Sequence, residues 1–307
     1  MKLKKIVIAG GSGFLGQIIV DRFKEKTEEI VVLSRNSKGQ KDNVRTVVWD
    51  AKSIGDWSKE LNGADVLINL SGKSINCRHN DANKKELLSS RIDATEILGK
   101  AIETSEQAPK LWINASAAAL YIPGSKPNTE NDAHFGNGFM EEMCIRWEES
   151  FLKSKCPQTR KIAMRITLIL GKSGGVFPVL VGLTKKGLGG KAGSGKQMMS
   201  WMHEDDFLNA MNWFIENKNA NGVYNMASPQ PISNKDFMDL LRKNTNALFG
   251  LPAPAFAIRL ASIFMQTEPG LVLNSVHVLP KKLLDNGFHF EFAKAENAIA
   301  SLCKKVN

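Results

Sequence analysis

The chain is poor in residues that staple or clip a fold. Of its 307 residues four are cysteine, Cys77, Cys144, Cys156 and Cys303, with no C-x-x-C pair and no Cys/His ligand spacing. That excludes a disulfide framework or a structural zinc site and points to free or buried thiols in a reducing compartment, with no metal expected. No apolar run approaches the roughly 18 residues of a membrane span, and Met1 to Lys5 leads at once into a strand-like run. A soluble, cytoplasmic protein without membrane contact is therefore expected. Internal repeats and low-complexity tracts are also missing. The one excess is charge, +10 net. The lysines are dispersed and no recognition motif accompanies them, so the expectation is a solvated basic surface, part of it serving a phosphate-bearing ligand, and no nucleic-acid partner.

What the sequence does contain is organised around Ile6-Val7-Ile8-Ala9 followed by Gly10-x-x-Gly13-x-x-Gly16 and the helical pattern Ile18, Ile19, Phe23. This is the strand, tight turn and helix of a dinucleotide-binding βα unit. Gly10 permits the turn, Gly13 lets backbone approach a diphosphate, and Gly16 lets helix pack on strand, so Gly10, Gly13, Phe14, Leu15 and Gly16 are the expected contacts. A second strand, Ile30-Val31-Val32-Leu33, ends in Ser34-Arg35-Asn36. A free ribose 2'-hydroxyl calls for an acid about 20 residues past the glycines, a 2'-phosphate for a cation. Ser34 and Arg35 therefore read as NADP(H) rather than NAD(H), a surface arginine in a turn being the alternative. Val44 to Trp49 is a third strand, and Asp50 after it is either at the adenine end or a plain turn residue or cap. The strand Val66 to Leu70 opens into Ser71-Gly72, which places Leu70, Ser71 and Gly72 near the nicotinamide ribose.

Further along, a helix over Asp81 to Thr104, a strand over Lys110 to Asn114, a helix over Phe139 to Lys155 and a strand over Ile162 to Leu170 complete a six-strand βα alternation. The fold expected is α/β, a doubly wound parallel sheet with a smaller mixed C-terminal lobe. Residues 1–165 form the dinucleotide-binding domain, a late strand at 223–227 returns to its sheet, and residues 166–222 and 228–307 make the substrate-side lobe. Asp205 or Asp206 is expected to cap a helix over Phe207 to Asn217. The run Gly190 to Gln197 nearly fits a Walker A loop, but Gln197 replaces the Ser/Thr that holds Mg²⁺ and no apolar strand precedes it. An ATPase is excluded on that ground; the loop's backbone N–H groups and lysines remain available to an anionic part of a ligand.

Several pieces then occur in one order: Gly10-x-x-Gly13-x-x-Gly16, Asn69-Leu70-x-Gly72, Ser89-x-Arg91, Ser116-Ala117-x-x-x-Tyr121, Cys144-x-x-Trp147-Glu148, Arg165, the Gly187 to Gln197 loop, Trp201-x-His203-x-Asp205-Asp206, and Leu279-Pro280-Lys281-Lys282-Leu283. In this the chain resembles the atypical extended short-chain dehydrogenases/reductases, specifically the epimerase family group. Members pair an NAD-dependent epimerase/dehydratase-type N-terminal region with a small C-terminal domain of uncharacterised role. The resemblance implies an NADP(H)-dependent oxidoreductase or epimerase acting on a small carbonyl, alcohol or sugar-like substrate, as monomer or homodimer. It also implies that Ser116 is the serine that hydrogen-bonds a substrate oxygen, a loop serine being the alternative, and that Arg165 anchors substrate or strand.

Catalysis is where the pattern breaks. The wider family uses Tyr-x-x-x-Lys, the lysine lowering the tyrosine's pKa for proton exchange. Here the only tyrosines, Tyr121 and Tyr224, are followed four places on by Ser125 and Ser228. Aligning on Trp147-Glu148 puts Met140 and Cys144 at the two positions. Tyr121 either orients or protonates substrate or packs on Pro123. His203 and Gln197 are read as substrate-side, His203 either as an acid/base group or as a structural link to the Asp205-Asp206 turn. The alternative function is a non-catalytic NADP(H)-binding sensor or partner-binding protein.

Overall fold

Strand Ile6-Val7-Ile8-Ala9 is apolar at every position, which with a side-chain period of two requires a core on both faces of the sheet. The computed structural model, which describes residues 2–36, 39–124, 126–132 and 134–304, builds that sheet. Its strands are β1 (Leu3–Ala9), β2 (Thr27–Ser34), β3 (Gln40–Lys41), β4 (Val44–Val48), β5 (Val66–Asn69), β6 (Leu111–Ala117), β7 (Arg160–Ile166), β8 (Leu168–Leu170), β9 (Met198–Met199), β10 (Trp201–His203), β11 (Gly222–Met226) and β12 (Ile232–Ser233). The helices are α1 (Phe14–Phe23), α2 (Asp81–Glu103), α3 (Phe139–Lys153), α4 (Phe177–Leu183), α5 (Glu204–Glu216), α6 (Asn234–Thr245), α7 (Ala255–Phe264), α8 (Gly270–Leu273), α9 (Lys281–Asp285) and α10 (Ala295–Cys303).

One sheet has the order β11-β7-β6-β5-β1-β2-β4-β3. All its pairings are parallel except that of the short edge strand β3 with β4. Ile6 and Ile8 pack with Ile19 and Phe23 of α1 and Phe207, Met211 and Phe214 of α5. Val7 and Ala9 face the other way, onto Ala94, Leu98 and Ile102 of α2 and Phe151 of α3. The fold is thus a doubly wound Rossmann-like sheet, with a mixed C-terminal region that has its own core of Phe177, Trp201, Phe237, Leu241 and Ile299. Among the described residues no helix is long and apolar enough to cross a membrane.

From β1 the chain runs outward through β2 and β4, then returns to add β5, β6, β7 and β11 on the opposite side. Reversal between β1 and β5 opens the crevice in which doubly wound sheets take ligands. The C-terminal region is tied to one wall of it. Glu268 Oε1 accepts from His79 N at 2.8 Å, Arg78 Nη1 donates to Thr267 O at 3.3 Å, and Thr267 Oγ1 donates to Asn76 Oδ1 at 2.7 Å.

Two expectations are corrected. The strand expected over Ile162 to Leu170 breaks at Thr167, whose N and Oγ1 both donate to Met226 O, at 3.3 and 2.6 Å. Beyond the break β8 leaves the main sheet and pairs with β10. Helix α5 starts at Glu204, three residues earlier than expected, so neither aspartate caps it. His203 is the N-cap, its Nδ1 accepting from Asp205 N at 3.0 Å. Asp206 accepts instead from Glu291 N and Phe292 N, at 2.8 and 3.0 Å, and so fastens the segment before α10 to α5.

His203 is buried and stacked on Phe292 with ring centroids 3.8 Å apart. Burial lowers its pKa from 6.5 to about 4. The unfolded chain then takes up a proton near pH 6.5 that the folded chain resists, so this group's stabilisation is complete above 6.5 and is lost as pH falls toward 4. His203→Asn keeps a capping acceptor without the ionisation. Urea unfolding at pH 7 and pH 4.5 should show a smaller acid loss in the variant; a loss as large as the parent's would mean that another group is the sensor.

Candidate functional site

The crevice walls meet through glycine. Gly10 has φ +77°, and a Cβ on it would stand 2.8 Å from Leu70 C and Ser71 N; a Cβ on Gly16 would stand 2.4 Å from Gly11 Cα. At Gly13 a Cβ would meet nothing nearer than 3.9 Å, so open space lies above the start of α1. That helix has no side-chain cap and no acid in its first turn, which leaves its N-terminal N–H groups and dipole to an anion. Phe14 packs its ring beneath the Gly171 to Gly175 loop, where a Cβ on Gly171 would be 2.3 Å from the ring. Leu15 packs on the sheet core. Across the crevice Asn69 Oδ1 accepts from Ser71 N at 3.0 Å while its amide donates to Asn114 Oδ1 at 2.7 Å, which fixes the loop after β5. Ser71 Oγ is buried there with no partner among the described residues. The crevice therefore has the features a dinucleotide needs: space and free N–H groups over Gly13 for a diphosphate, and an unpaired hydroxyl at Ser71 among the described residues.

On the β2 and β4 side, Arg35, Val48, Trp49, Asp50, Ser53 and Trp57 line an open cleft of about 600 Å³. Arg35 is exposed and makes no ion pair among the described residues. Ser34 lines the neighbouring hollow with Gly11, Ser12 and Thr46. Asp50 accepts from Lys52 N, Ser53 N and Ser53 Oγ. The bond from the Ser53 hydroxyl, with those from the two amides, holds its carboxyl down at about 2. It therefore caps its own turn while lining the cleft.

Below the carboxyl ends of β6 and β7 lies a buried polar network. Ser116 Oγ donates to Glu148 Oε2 at 3.0 Å, and Arg165 grips the same carboxylate through Nε at 3.0 Å and Nη2 at 2.6 Å. Arg165 Nη1 donates to Tyr121 OH at 2.6 Å, and that hydroxyl faces Thr129 O at 2.9 Å and Asn225 Oδ1 at 3.0 Å. All of these side chains are buried, where a charge is tolerated only when paired and hydrogen-bonded. The Tyr121 phenol has one proton for two acceptors and one donor filling a lone pair, and burial raises its pKa. Sequence reasoning missed two members of this network, Glu148, which holds Ser116 and Arg165, and Asn225, which accepts from Tyr121. A signal existed, since Glu148 falls on the α3 face that also buries Met143, Cys144, Trp147 and Phe151.

Other residues singled out in the sequence lie apart. Gln197 donates to Ala192 O at 3.0 Å and Val272 O at 3.3 Å. With His203 engaged at the α5 cap, neither contacts the Ser116 network among the described residues. In the Gly190 to Lys196 loop, backbone N–H groups of Gly190, Gly193 and Gly195 donate to Leu251, Ala253 and Ala192 carbonyls, and Ala192 N to Asn234 Oδ1. Those donors are used internally, which corrects the expectation that they serve an anion; the loop's Lys191 and Lys196 are exposed. On α3, Cys144 is buried and its thiol is pushed up to about 12; Met140 carries no proton.

Residues 6–227 match the model of the NAD dependent epimerase/dehydratase family, and residues 253–302 match a domain of unknown function, DUF1731. The epimerase family protein YfhF of Bacillus subtilis is 30% identical over 97% of each chain. A Staphylococcus aureus (strain N315) epimerase family protein is 31% identical over 99% of this chain and 100% of its own. Human epimerase family protein SDR39U1, solved with NADPH, superposes with a TM-score of 0.87 at 24% identity, over 97% of this chain and 99% of that one. A nucleoside-diphosphate sugar epimerase from Corynebacterium glutamicum gives a TM-score of 0.78 at 27% identity, over 99% of this chain and 58% of that one. On the match over residues 6–227, with relatives sharing its whole length, the chain belongs to the NAD-dependent epimerase/dehydratase family, whose cofactor is a nicotinamide dinucleotide.

Proposed function

We propose that the protein binds NADP(H) across the crevice and acts as an oxidoreductase or epimerase on a small carbonyl, alcohol or sugar-like molecule. The observation that carries the cofactor reading is Arg35, an exposed guanidinium with no ion pair among the described residues, at the position where a 2'-hydroxyl would favour an acid. A bound nicotinamide supplies hydride exchange at a carbon that bears oxygen. This chain's share is to hold that oxygen and move its proton. Because Ser116 Oγ directs its own proton to Glu148, its lone pairs are left to accept from a substrate hydroxyl. In alcohol oxidation a proton passing from substrate to Ser116 displaces the serine proton onto Glu148, which Arg165 holds in place, and in carbonyl reduction a proton from Glu148 passes through Ser116 to the substrate oxygen. Tyr121 in this reading positions Arg165 and does not touch substrate.

The second reading is a non-catalytic NADP(H) sensor. Its support is that α3 presents Met140 and a buried, protonated Cys144, and that the Tyr121 hydroxyl is fully engaged.

Arg35→Ala should weaken NADPH binding by about tenfold or more, the worth of a charge-assisted phosphate contact, and leave NADH binding within about twofold. Equal losses, measured by titration calorimetry, would remove the 2'-phosphate assignment. Ser116→Ala should lower NADPH oxidation over a panel of small carbonyls by about 10²-fold or more at unchanged NADPH affinity. If the wild type binds NADPH and oxidises it with no member of the panel, the sensor reading takes its place.

A further inference from the structure

Arg91 of α2 is a buried cation with no carboxylate partner among the described residues. It is 8% exposed, its two Nη atoms donate to Leu87 O and Lys73 O, each at 2.9 Å, and its guanidinium lies 5.2 Å from the centre of the Trp147 ring. The Nε–H is buried and meets no acceptor among the described residues. Burial lowers its pKa, against a weaker opposing pull from the thiols of Cys144 and Cys77. Two carbonyl bonds and an aromatic face position the side chain, but neither neutralises the charge that burial has stripped of water.

The charge has a definite place. A Cβ on Gly72 would stand 3.1 Å from Arg91 Cζ and 3.4 Å from Nε. Gly72 is exposed, so a residue without a side chain is the partition between the guanidinium and the crevice. Its neighbour Ser71 carries the other unpartnered polar atom of that wall. Arg35 lies at the opposite end, beyond β1 and β2. With adenosine at Arg35 and diphosphate over Gly13, the nicotinamide half of a dinucleotide comes to the Gly72 wall. On α3 the neighbouring residue is Cys144, one turn before Trp147, which supplies no positive charge.

We infer that the buried charge of Arg91, set behind Gly72, makes this site selective for the reduced dinucleotide. The oxidised nicotinamide ring is a cation and the reduced ring is neutral, so a fixed positive charge in a poorly solvated wall disfavours only the oxidised form. At the effective dielectric suited to protein sites, repulsion between two unit charges on either side of a single glycine is enough for a preference of about tenfold or more. A desolvated charge is also screened little by salt. The inference rests on the nicotinamide-dinucleotide reading of the crevice and adds to it which redox state is held.

Dissociation constants for NADPH, NADP⁺ and adenosine 2',5'-bisphosphate, measured on the full-length protein, separate the possibilities. Wild type should bind NADPH about tenfold or more tighter than NADP⁺, and the ratio should persist at roughly 0.5 M salt. Arg91→Met should bring the ratio to within about threefold of unity while the bisphosphate, which lacks nicotinamide, binds as in wild type. Arg91→Lys, which keeps the charge, should retain most of the preference. No preference in the wild type would overturn the inference even if Arg91→Met failed to fold, and so would an unchanged ratio in a folded Arg91→Met. Failure of the wild type to bind any of the three ligands would overturn the dinucleotide reading with it, whereas tight binding without preference would overturn the inference alone.

Discussion

At the carboxyl ends of β1 and β5, two chain segments approach more closely than any side chain would allow. The backbone of Gly10 lies against Leu70 and Ser71, and Gly16 lies against Gly11. The contact is steric before it is chemical, since a methyl group at either position would collide with backbone rather than with a movable side chain. Its effect is to fix three things at once: the width of the crevice, the position of the first turn of α1, and the course of the loop after β5. Asn69 completes the arrangement, because its side chain holds Ser71 N on one side and Asn114 on the other. The open volume over Gly13 is what remains when the rest has closed.

The buried Arg165–Glu148 pair plays the corresponding part on the other half of the sheet. It joins β6 through Ser116, α3 through Glu148 and β7 through Arg165, and Tyr121 extends the network to Asn225 of β11. Removing one partner would strand a charge in a dry interior, a change costing several kcal/mol in comparable pairs. That rigidity is bound up with the chemistry. A phenol that accepts from arginine and divides its proton between two acceptors is a strut, so Tyr121 is structurally engaged where a helix-borne Tyr/Lys pair would be free.

Local signals in the sequence carried much of this. The glycine spacing placed the turn, the β-branched runs placed the strands, and Ser34-Arg35 falls at the end of β2 beside the cleft lined by Trp49 and Trp57. The misread parts depend on partners remote in the chain. Leu168-Ile169-Leu170 is as apolar as the strand before it, and only the carbonyl of Met226 and pairing with Trp201 to His203 turn it out of the sheet. The Gly190 to Gly195 loop looked like an anion cradle because its spacing nearly fits a Walker A loop, yet Leu251 and Ala253, about sixty residues on, take two of its N–H groups. His203 was overlooked as a cap because the neighbouring aspartates are stronger local candidates; Asp206 is drawn away by the amides of Glu291 and Phe292. In each case a non-local hydrogen bond overrode a sound local preference.

The bonds between residues 76–79 and 267–268 join positions about 190 residues apart in the chain. They couple the loop that leads into α2 to the segment between α7 and α8. That wall of the crevice and the C-terminal region are thus held to one another by hydrogen bonds that close a span of about 190 residues. A ligand that displaced either segment would have to break these bonds, so each of them adds to the cost of opening that wall.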